Sequence, residues 1–198
     1  MKKIMFDDRF GLTEAVLDGR KTMTRRIIYD FSNYGWGSVI DAFIENGVLY
    51  FDTGLPSLFA PKELQPKYNI GEVVAIAQRY TDIEWRNNPY CEIPDLSFNG
   101  QLAKSKGWKN KMYVRADLMP HRIRITNVRV ERIQDISDED CLREGIYEVP
   151  FCEFAWDDNG KTFKTAREAF AALIKKMAGK KAWDDNPWVF VYEFELVK

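Results

Sequence analysis

Residues 19–26 are the stretch of this chain that is richest in charged and reactive side chains. They read Gly-Arg-Lys-Thr-Met-Thr-Arg-Arg, so four cations and two hydroxyls follow directly after a glycine that can end a helix. Lysine and arginine bind anionic groups, and an amine or a hydroxyl can take part in proton transfer or nucleophilic attack. The stretch therefore predicts one wall of a binding or reaction site.

Glu144 is a carboxylate in an unfavourable position. It falls in the last turn of a short helix predicted over 137–145, which begins at Ser137 with Asp140 three residues later, and ends at Gly145. A negative charge at the C-terminal end of a helix opposes the helix dipole and costs about 0.3–1 kcal/mol if it is unpaired. Glu144 is therefore either exposed or paired with a cation, and the spacing alone leaves both alternatives open.

The elements around residues 19–26 must bring their side chains to one place. Leu12, Ala15 and Val16 have helical spacing, which predicts a helix over 12–18 that ends at Gly19, and residues 22–30 favour a strand. In an ideal strand Lys21 and Thr24 would point to opposite faces. If both serve one site, the segment must begin as a turn before it becomes a strand.

The remaining pattern predicts a small α+β fold. Its elements are a hairpin over 38–52 around Asn46-Gly47, a buried strand over 73–77, a strand over 121–133 with a bulge at Thr126-Asn127, an amphipathic helix over 165–178 and a closing strand over 188–196. About six strands with three peripheral helices predict a curved sheet or barrel. No linker divides the chain, so we expect one domain.

Residues 80–120 are the least regular part of the sequence. They alternate aromatic residues with cations, a pattern that includes Tyr80, Arg86, Trp108 and Arg115. Such a mixture suits stacking on bases and contacts with phosphate. It equally suits a long insertion whose aromatic residues anchor it to the domain, and both interpretations stay open.

Composition excludes several classes of protein. The chain has 29 Lys and Arg against 30 Asp and Glu, which argues against binding nucleic acid through overall charge. Three cysteines without a CxxC pair and the single histidine, His121, argue against a zinc site, and we expect no cofactor. No apolar run has the length of a signal peptide or a membrane span, so we expect a cytoplasmic protein without membrane contacts.

Four segments, taken together and in this order, resemble the ASCH domain family of the PUA-like superfamily, in particular its larger bacterial and phage members. They are residues 19–26 with the preceding helix, Tyr68-Asn69-Ile70-Gly71-Glu72-Val73-Val74, residues 125–145 with Arg143-Glu144-Gly145, and the strand that begins at Asn186-Pro187-Trp188. The resemblance covers the whole chain and implies a single domain over 1–198, with insertions near 31–66, 80–120 and 147–163. It also implies a PUA-like β-barrel with a cleft for RNA or a modified nucleobase.

Some small members of this family are amidohydrolases that remove the acyl group of N4-acetylcytidine. Their functional residues are a lysine, a threonine three positions later and a distant glutamate. In this sequence the resemblance places these roles on Lys21, Thr24 and Glu144. Thr24 would be the nucleophile, Lys21 the base, and Glu144 the group that orients the lysine or carries a proton.

Two functional hypotheses follow from these features. The first is a domain that binds RNA, a nucleotide or a modified nucleobase in a cleft. The cleft is lined by Lys21, Thr24, Arg25, Arg26 and Glu144, and the further ligand contacts are Thr22, Tyr80 and Trp108. The second is an amidohydrolase acting on N4-acylcytidine that needs no metal. The distances between Lys21, Thr24 and Glu144 distinguish them, because only the enzyme requires these side chains to converge.

Overall fold

The computed structural model describes residues 1–28, 40–45, 47–52, 65–83, 104–151, 153–156 and 161–197. The strands are β1 Lys3–Ile4, β2 Met23–Ile27, β3 Asp41–Glu45, β4 Val48–Asp52, β5 Val73–Ile76, β6 Arg122–Arg132, β7 Tyr147–Val149, β8 Glu153–Ala155 and β9 Trp188–Val197. The helices are α1 Leu12–Leu17, α2 Asp138–Arg143, α3 Ala166–Ala178 and α4 Lys181–Asp184. Short 3-10 turns connect several of these elements.

A five-stranded sheet in the order β1-β5-β6-β9-β2 forms the centre of the described fold. Strands β6 and β9 pair antiparallel along their whole length, and the register shifts between Ile125 and Asn127, which confirms the predicted bulge. The bulge lets one long strand bend around the core. Strand β2 lies at the edge of the sheet, paired with β9 from Met23 opposite Glu193 to Ile27 opposite Val189.

Strand β5 is buried on both faces, as its uninterrupted apolar sequence predicts. Val74 and Ile76 pack into the main hydrophobic core, whereas Ala75 and Ala77 point the other way into a second cluster. Successive side chains of a strand face opposite sides of the sheet, so β5 separates two packed layers. The second cluster contains Tyr80 and Met119 and joins part of the 80–120 segment to the sheet.

The helices begin where their capping residues predict. Ser137 accepts a hydrogen bond from the Asp140 amide at the start of α2, and Thr165 does the same for Glu168 at the start of α3. Of the apolar stripe that helical spacing predicts for α3, Ala166, Phe170 and Leu173 are buried, and Ile174 and Met177 are half-buried. The short helix α4 occupies residues for which the sequence predicts no helix.

Two antiparallel hairpins accompany the sheet. Strands β3 and β4 pair with Glu45 opposite Val48, which confirms the hairpin predicted around Asn46-Gly47. Strands β7 and β8 form a second hairpin where the sequence predicted only an insertion. The turn between them includes Pro150 and Phe151, and Phe151 has a positive φ of 72°. This is a conformation that non-glycine residues adopt in tight turns.

The fold is of mixed α+β type, and the described strand pairings do not close the sheet into a barrel. The predicted PUA-like barrel therefore stays a prediction. The predicted insertion near 31–66 is described only at 40–45, 47–52 and 65–66, and the insertion over 80–120 only at 80–83 and 104–120. In the described residues, no helix is both long enough and apolar enough to cross a membrane.

Candidate functional site

The connection from α1 to β2 brings Lys21 and Thr24 to the same place. Gly19 has a φ of 77° and turns the chain at the end of α1, and the Lys21 amide then donates to the carbonyl of Ala15 at 2.8 Å. Strand β2 begins only at Met23. Lys21 therefore lies in the turn and Thr24 in the strand, and both line one cavity, as the requirement for a turn before the strand predicts.

Lys21 and Glu144 form a buried ion pair. The Lys21 Nζ lies 2.5 Å from Oε2 of Glu144 and 2.6 Å from the backbone oxygen of the same residue. The two side chains are 2% and 5% exposed. Of the two alternatives that the sequence left open for Glu144, the cationic partner is therefore the correct one.

Burial is the largest influence on the pKa of Lys21. Removal from water lowers the pKa of the Lys21 amine, the Glu144 charge and hydrogen bond act in the opposite direction, and the charges of Arg26 and Arg25 lower it further. A neutral amine has two N–H donors and one lone pair. When Lys21 is neutral, its two hydrogen bonds to Glu144 would use both donors and leave the lone pair free to accept a proton.

Arg25 holds the other oxygen of Glu144. Its Nη1 donates to Oε1 of Glu144 at 3.1 Å, while Nη2 donates to Glu131 at 2.7 Å and to Asp140 at 2.8 Å. The Arg25 side chain is only 1% exposed and lies against the ring of Phe170, 5.9 Å from its centroid. Its guanidinium therefore faces three carboxylates, which keep it inside the protein.

This ion-pair network connects β2 to its neighbours. Arg129 on β6 pairs with Asp140 of α2 and with Glu193 of β9. Arg143, the last residue of α2, donates to Glu193 at 2.7 Å. These ion pairs join α2, β6 and β9. They therefore help to fix the position of Glu144, which directly follows α2.

Thr24 presents a hydroxyl to the cavity. Its backbone pairs with Tyr192 in the sheet, and the residue is 5% exposed. In the part of the chain that the structure describes, no hydrogen bond engages this hydroxyl. Because Thr24 and Lys21 line the same cavity, this unengaged oxygen is available to a ligand bound there.

The cavity has a volume of about 400 Å³ and a lining that combines polar and apolar side chains. Its described polar lining residues are Asp7, Arg9, Lys21, Thr24, Arg25, Arg26, Asn110, Lys111 and Glu144, and its described apolar lining residues are Met5, Phe6, Leu12, Met112, Phe170, Leu173, Ile174 and Met177. Ligand sites commonly measure about 300–1,000 Å³ and combine an apolar lining with a few polar groups. Among the described residues, no three His, Cys, Asp or Glu side chains are grouped to hold a metal ion.

The predicted ligand contacts fall into two groups. Arg26 is exposed, lines the cavity and donates to the Met5 carbonyl at 2.6 Å. Thr22, Tyr80 and Trp108 do not line it. Tyr80 is buried in the second cluster with its hydroxyl accepting from the Arg115 amide at 2.9 Å, and Trp108 packs against the same cluster. These two aromatic residues anchor the segment that contains them.

Several lining residues were not identified from the sequence. The apolar stripe of an amphipathic helix predicts core packing, and Phe170 and Leu173 of α3 pack in the core but also line the cavity. Helical periodicity shows which face is apolar but not whether that face borders a cavity. Asn110 and Lys111 come from the irregular segment, where no periodic pattern marks them.

Comparison with known proteins adds a similarity of fold. No family model matches this chain, and no curated protein matches it. Among solved structures, an ASCH domain from Lactobacillus crispatus JV V101 is similar with a TM-score of 0.42 and 12% sequence identity, over 98% of this chain and 77% of that chain. The similarity concerns the course of the backbone and assigns no role to any residue.

Proposed function

We propose that the cavity is the active site of an amidohydrolase that removes the acyl group from an N4-acylated cytosine nucleoside. The observation that carries this proposal is the buried contact of Lys21 with Glu144 at 2.5 Å in the same cavity that Thr24 lines. A lowered pKa suits the Lys21 amine to act as a base, and the Thr24 hydroxyl, which lines the same cavity and has no hydrogen bond in the described chain, would be the proton donor.

The first half of the reaction transfers the acyl group to the enzyme. The Oγ1 of Thr24 attacks the amide carbonyl of the substrate while the neutral amine of Lys21 accepts the hydroxyl proton. The tetrahedral intermediate then breaks its C–N bond, and the departing N4 nitrogen takes the proton from Lys21. Free cytidine and an acyl ester of Thr24 result.

The second half regenerates the enzyme. A water molecule attacks the ester carbonyl and gives its proton to Lys21. The C–O bond to Thr24 breaks, the Thr24 oxygen takes the proton back, and the carboxylic acid leaves. In both halves Glu144 fixes the position of the Lys21 amine through its carboxylate and its backbone oxygen.

Size and polarity support a ligand of nucleoside dimensions. A cavity of about 400 Å³ admits one nucleoside but not a folded duplex. The apolar lining, part of which comes from α3, suits the face of a base, and the polar lining includes Lys21 and Thr24. The choice of an N4-acylated cytosine rests on the resemblance of residues 19–26 and 144 to the ASCH pattern.

RNA binding without hydrolysis is the second candidate. The exposed Arg26 at the cavity supports it, because this guanidinium has no carboxylate partner in the described chain. The other cations of residues 19–26 support it less. Lys21 and Arg25 are buried with carboxylates, and Arg20 pairs with Asp18 at 3.3 Å. The basic stretch therefore does not form a continuous surface for phosphates.

Incubation with N4-acetylcytidine, followed by chromatographic separation of cytidine, tests the proposal. We expect turnover by the unmodified protein and a loss of at least about a thousandfold for Thr24→Ala. Thr22→Ala is the matched control, because Thr22 does not line the cavity. Unchanged substrate with the unmodified protein, or equal turnover by Thr24→Ala, contradicts the proposal. Binding of RNA or nucleosides at low salt without turnover identifies the second candidate.

A further inference from the structure

A second cavity of about 280 Å³ lies directly beside the first and has a basic lining. Met5 and Arg26 line both cavities, so the two are adjacent. The other residues of the second cavity are Lys3, Ile27, Gln65, Lys67, Tyr68, Phe190 and Tyr192. Three of its lining residues are cations, and none of its described lining residues is a carboxylate.

The three cations of this cavity lack the ion pairs that are common elsewhere in the protein. Arg26 and Lys67 form none with the described residues, and Lys3 donates only to the carbonyls of Met112 and Val114, at 2.7 and 2.6 Å. By contrast, carboxylate partners are found for Arg9, Arg25, Arg79, Arg115, Arg129 and Arg143. The positive charge of the second cavity is therefore locally uncompensated.

The neighbouring carboxylate of Glu72 does not neutralise the positive charge of the second cavity. Glu72 is close enough to affect the hydroxyl of Tyr68, but it is already paired with Lys2 at 3.0 Å. Burial, and then the charge of Lys67, lower the pKa of Lys3, as expected when like charges share a site. An anion in the cavity would relieve this repulsion.

We infer that the second cavity binds a phosphate group of the substrate, through Arg26 and Lys67 with Lys3 behind them. This inference rests on the proposed function and narrows its substrate from a nucleoside to a phosphorylated one. The base and its acyl group would occupy the first cavity, Arg26 would lie between the two sites, and the phosphate would lie against Lys67. The phosphate belongs either to a free nucleotide or to a nucleic-acid strand.

The test compares three substrates: N4-acetylcytidine, its 5′-monophosphate and a short oligoribonucleotide that contains one N4-acetylcytidine. Charge-assisted hydrogen bonds to a phosphate predict that kcat/KM for a phosphorylated substrate exceeds that for the nucleoside about tenfold or more. A greater advantage for the monophosphate identifies a free nucleotide, and a greater advantage for the oligoribonucleotide identifies a strand. Equal kcat/KM for all three overturns the inference while the hydrolase itself stands.

Two double variants that change the net charge equally show whether the preference for phosphorylated substrate comes from this cavity. In Arg26→Gln/Lys67→Gln we expect the preference for phosphorylated substrate to disappear. In Arg20→Gln/Lys109→Gln, which alters two exposed cations that line neither cavity, we expect the preference to remain. Loss of the preference in both variants, or in neither, assigns it to overall charge or to another site and overturns the inference.

A binding measurement keeps the inference testable if no substrate is hydrolysed. Calorimetric titration with cytidine 5′-monophosphate and with cytidine does not depend on turnover. We expect the monophosphate to bind at least about tenfold more tightly, and more weakly as salt increases. Equal affinities, or no binding of either, overturn the phosphate site independently of the failed activity.

Discussion

Lys21 and Glu144 are 123 residues apart in the sequence, yet their side chains meet in a buried ion pair at 2.5 Å. Backbone hydrogen bonds bring them together. The Thr22 amide donates to the carbonyl of Arg143 at 2.9 Å, and the Phe194 amide donates to the carbonyl of Thr22 at the same distance. The turn before β2 is therefore held between the end of α2 and strand β9, which fixes both members of the pair.

The first prediction concerns the stability of this pair. Glu144→Gln leaves two buried cations facing a neutral amide, so we expect the free energy of unfolding to fall by about 3 kcal/mol. The double variant Lys21→Met/Glu144→Gln should lose at least about 1 kcal/mol less than the sum of the single variants, because removing both charges avoids an unpaired one. Urea unfolding measures these differences.

The exposed pair between Lys2 and Glu72 provides the control for this cycle. Its side chains are 46% and 23% exposed, so the same pair of substitutions there should change the free energy of unfolding by less than about 1 kcal/mol. Additive effects of Lys21→Met and Glu144→Gln would show that the buried pair is not energetically coupled.

The second prediction concerns pH. Because burial holds the pKa of Lys21 below its usual 10.5, the neutral amine that acts as base forms at a lower pH than in a free lysine. We expect kcat/KM to rise with pH along a limb centred below 10.5. A rate that does not change with pH across this range, with the protein still folded, contradicts a role for Lys21 as base.

The same shift affects stability, with a definite sign. Between the lowered pKa and 10.5 the unfolded chain binds more protons than the folded chain, so the free energy of unfolding increases with pH in this window. The stabilisation is present above 10.5 and is lost as the pH falls through the folded pKa. Lys21→Met should lack this component, which urea unfolding at several pH values detects.

The local parts of the fold were predictable because their causes are local. Capping at Ser137 and Thr165, the hairpin at Asn46-Gly47 and the bulge after Ile125 each depend on a few neighbouring residues. The hairpin β7–β8 was missed, because its three-residue strands are too short for a clear alternating pattern.

The candidate site was only partly predictable, because its decisive contacts join distant segments. The unfavourable position of Glu144 correctly indicated a cationic partner, but sequence alone could not distinguish the environments of adjacent arginines. Arg25 turns inward because Glu131 and Asp140 lie beside it in the fold, whereas Arg26 on the opposite face of β2 remains exposed. The cavity also depends on how α3 packs in the fold, and the helical spacing of apolar residues does not show this packing.

The third prediction concerns the backbone next to Glu144. Gly145 has a φ of 103°, which L side chains rarely adopt, and a Cβ there would lie 3.6 Å from the Cβ of Lys21. That distance is ordinary contact, so the cost of Gly145→Ala is backbone strain of about 1–3 kcal/mol. Because the strain moves Glu144 and Lys21, we expect kcat to fall as well.

Gly71→Ala is the control for this substitution. Gly71 has a φ of 83°, a Cβ added there would meet no atom within 4 Å, and the residue lines neither cavity. We expect a similar loss of stability with kcat unchanged. If Gly71→Ala and Gly145→Ala reduce kcat equally, the backbone at Gly145 has no specific influence on the site.

The fourth prediction concerns alkaline stability. Burial raises the pKa of Tyr68 to about 12, and its hydroxyl donates to the Lys3 carbonyl at 2.9 Å. The folded protein therefore keeps this proton when the unfolded chain releases it, so the stabilisation is present below pH 10.0 and is lost as the pH rises towards about 12. Tyr68→Phe should show a weaker decline over this range, at a cost of about 1 kcal/mol at neutral pH. An identical decline in both proteins would contradict the assignment.

The fifth prediction separates two roles of Arg25, its charge and its geometry. The positive charge of Arg25 contributes to the lowered pKa of Lys21, after burial and the charge of Arg26. Arg25→Met removes that charge, so the limb of the pH–rate profile should move to higher pH.

Arg25→Lys keeps the charge but loses the planar guanidinium that reaches Glu131, Asp140 and Glu144 together. We therefore expect Arg25→Lys to leave the limb in place and to lower kcat more than it raises KM, because a displaced Glu144 positions the amine less well. If Arg25→Lys instead raises KM alone, the guanidinium contacts the substrate and does not act through Glu144.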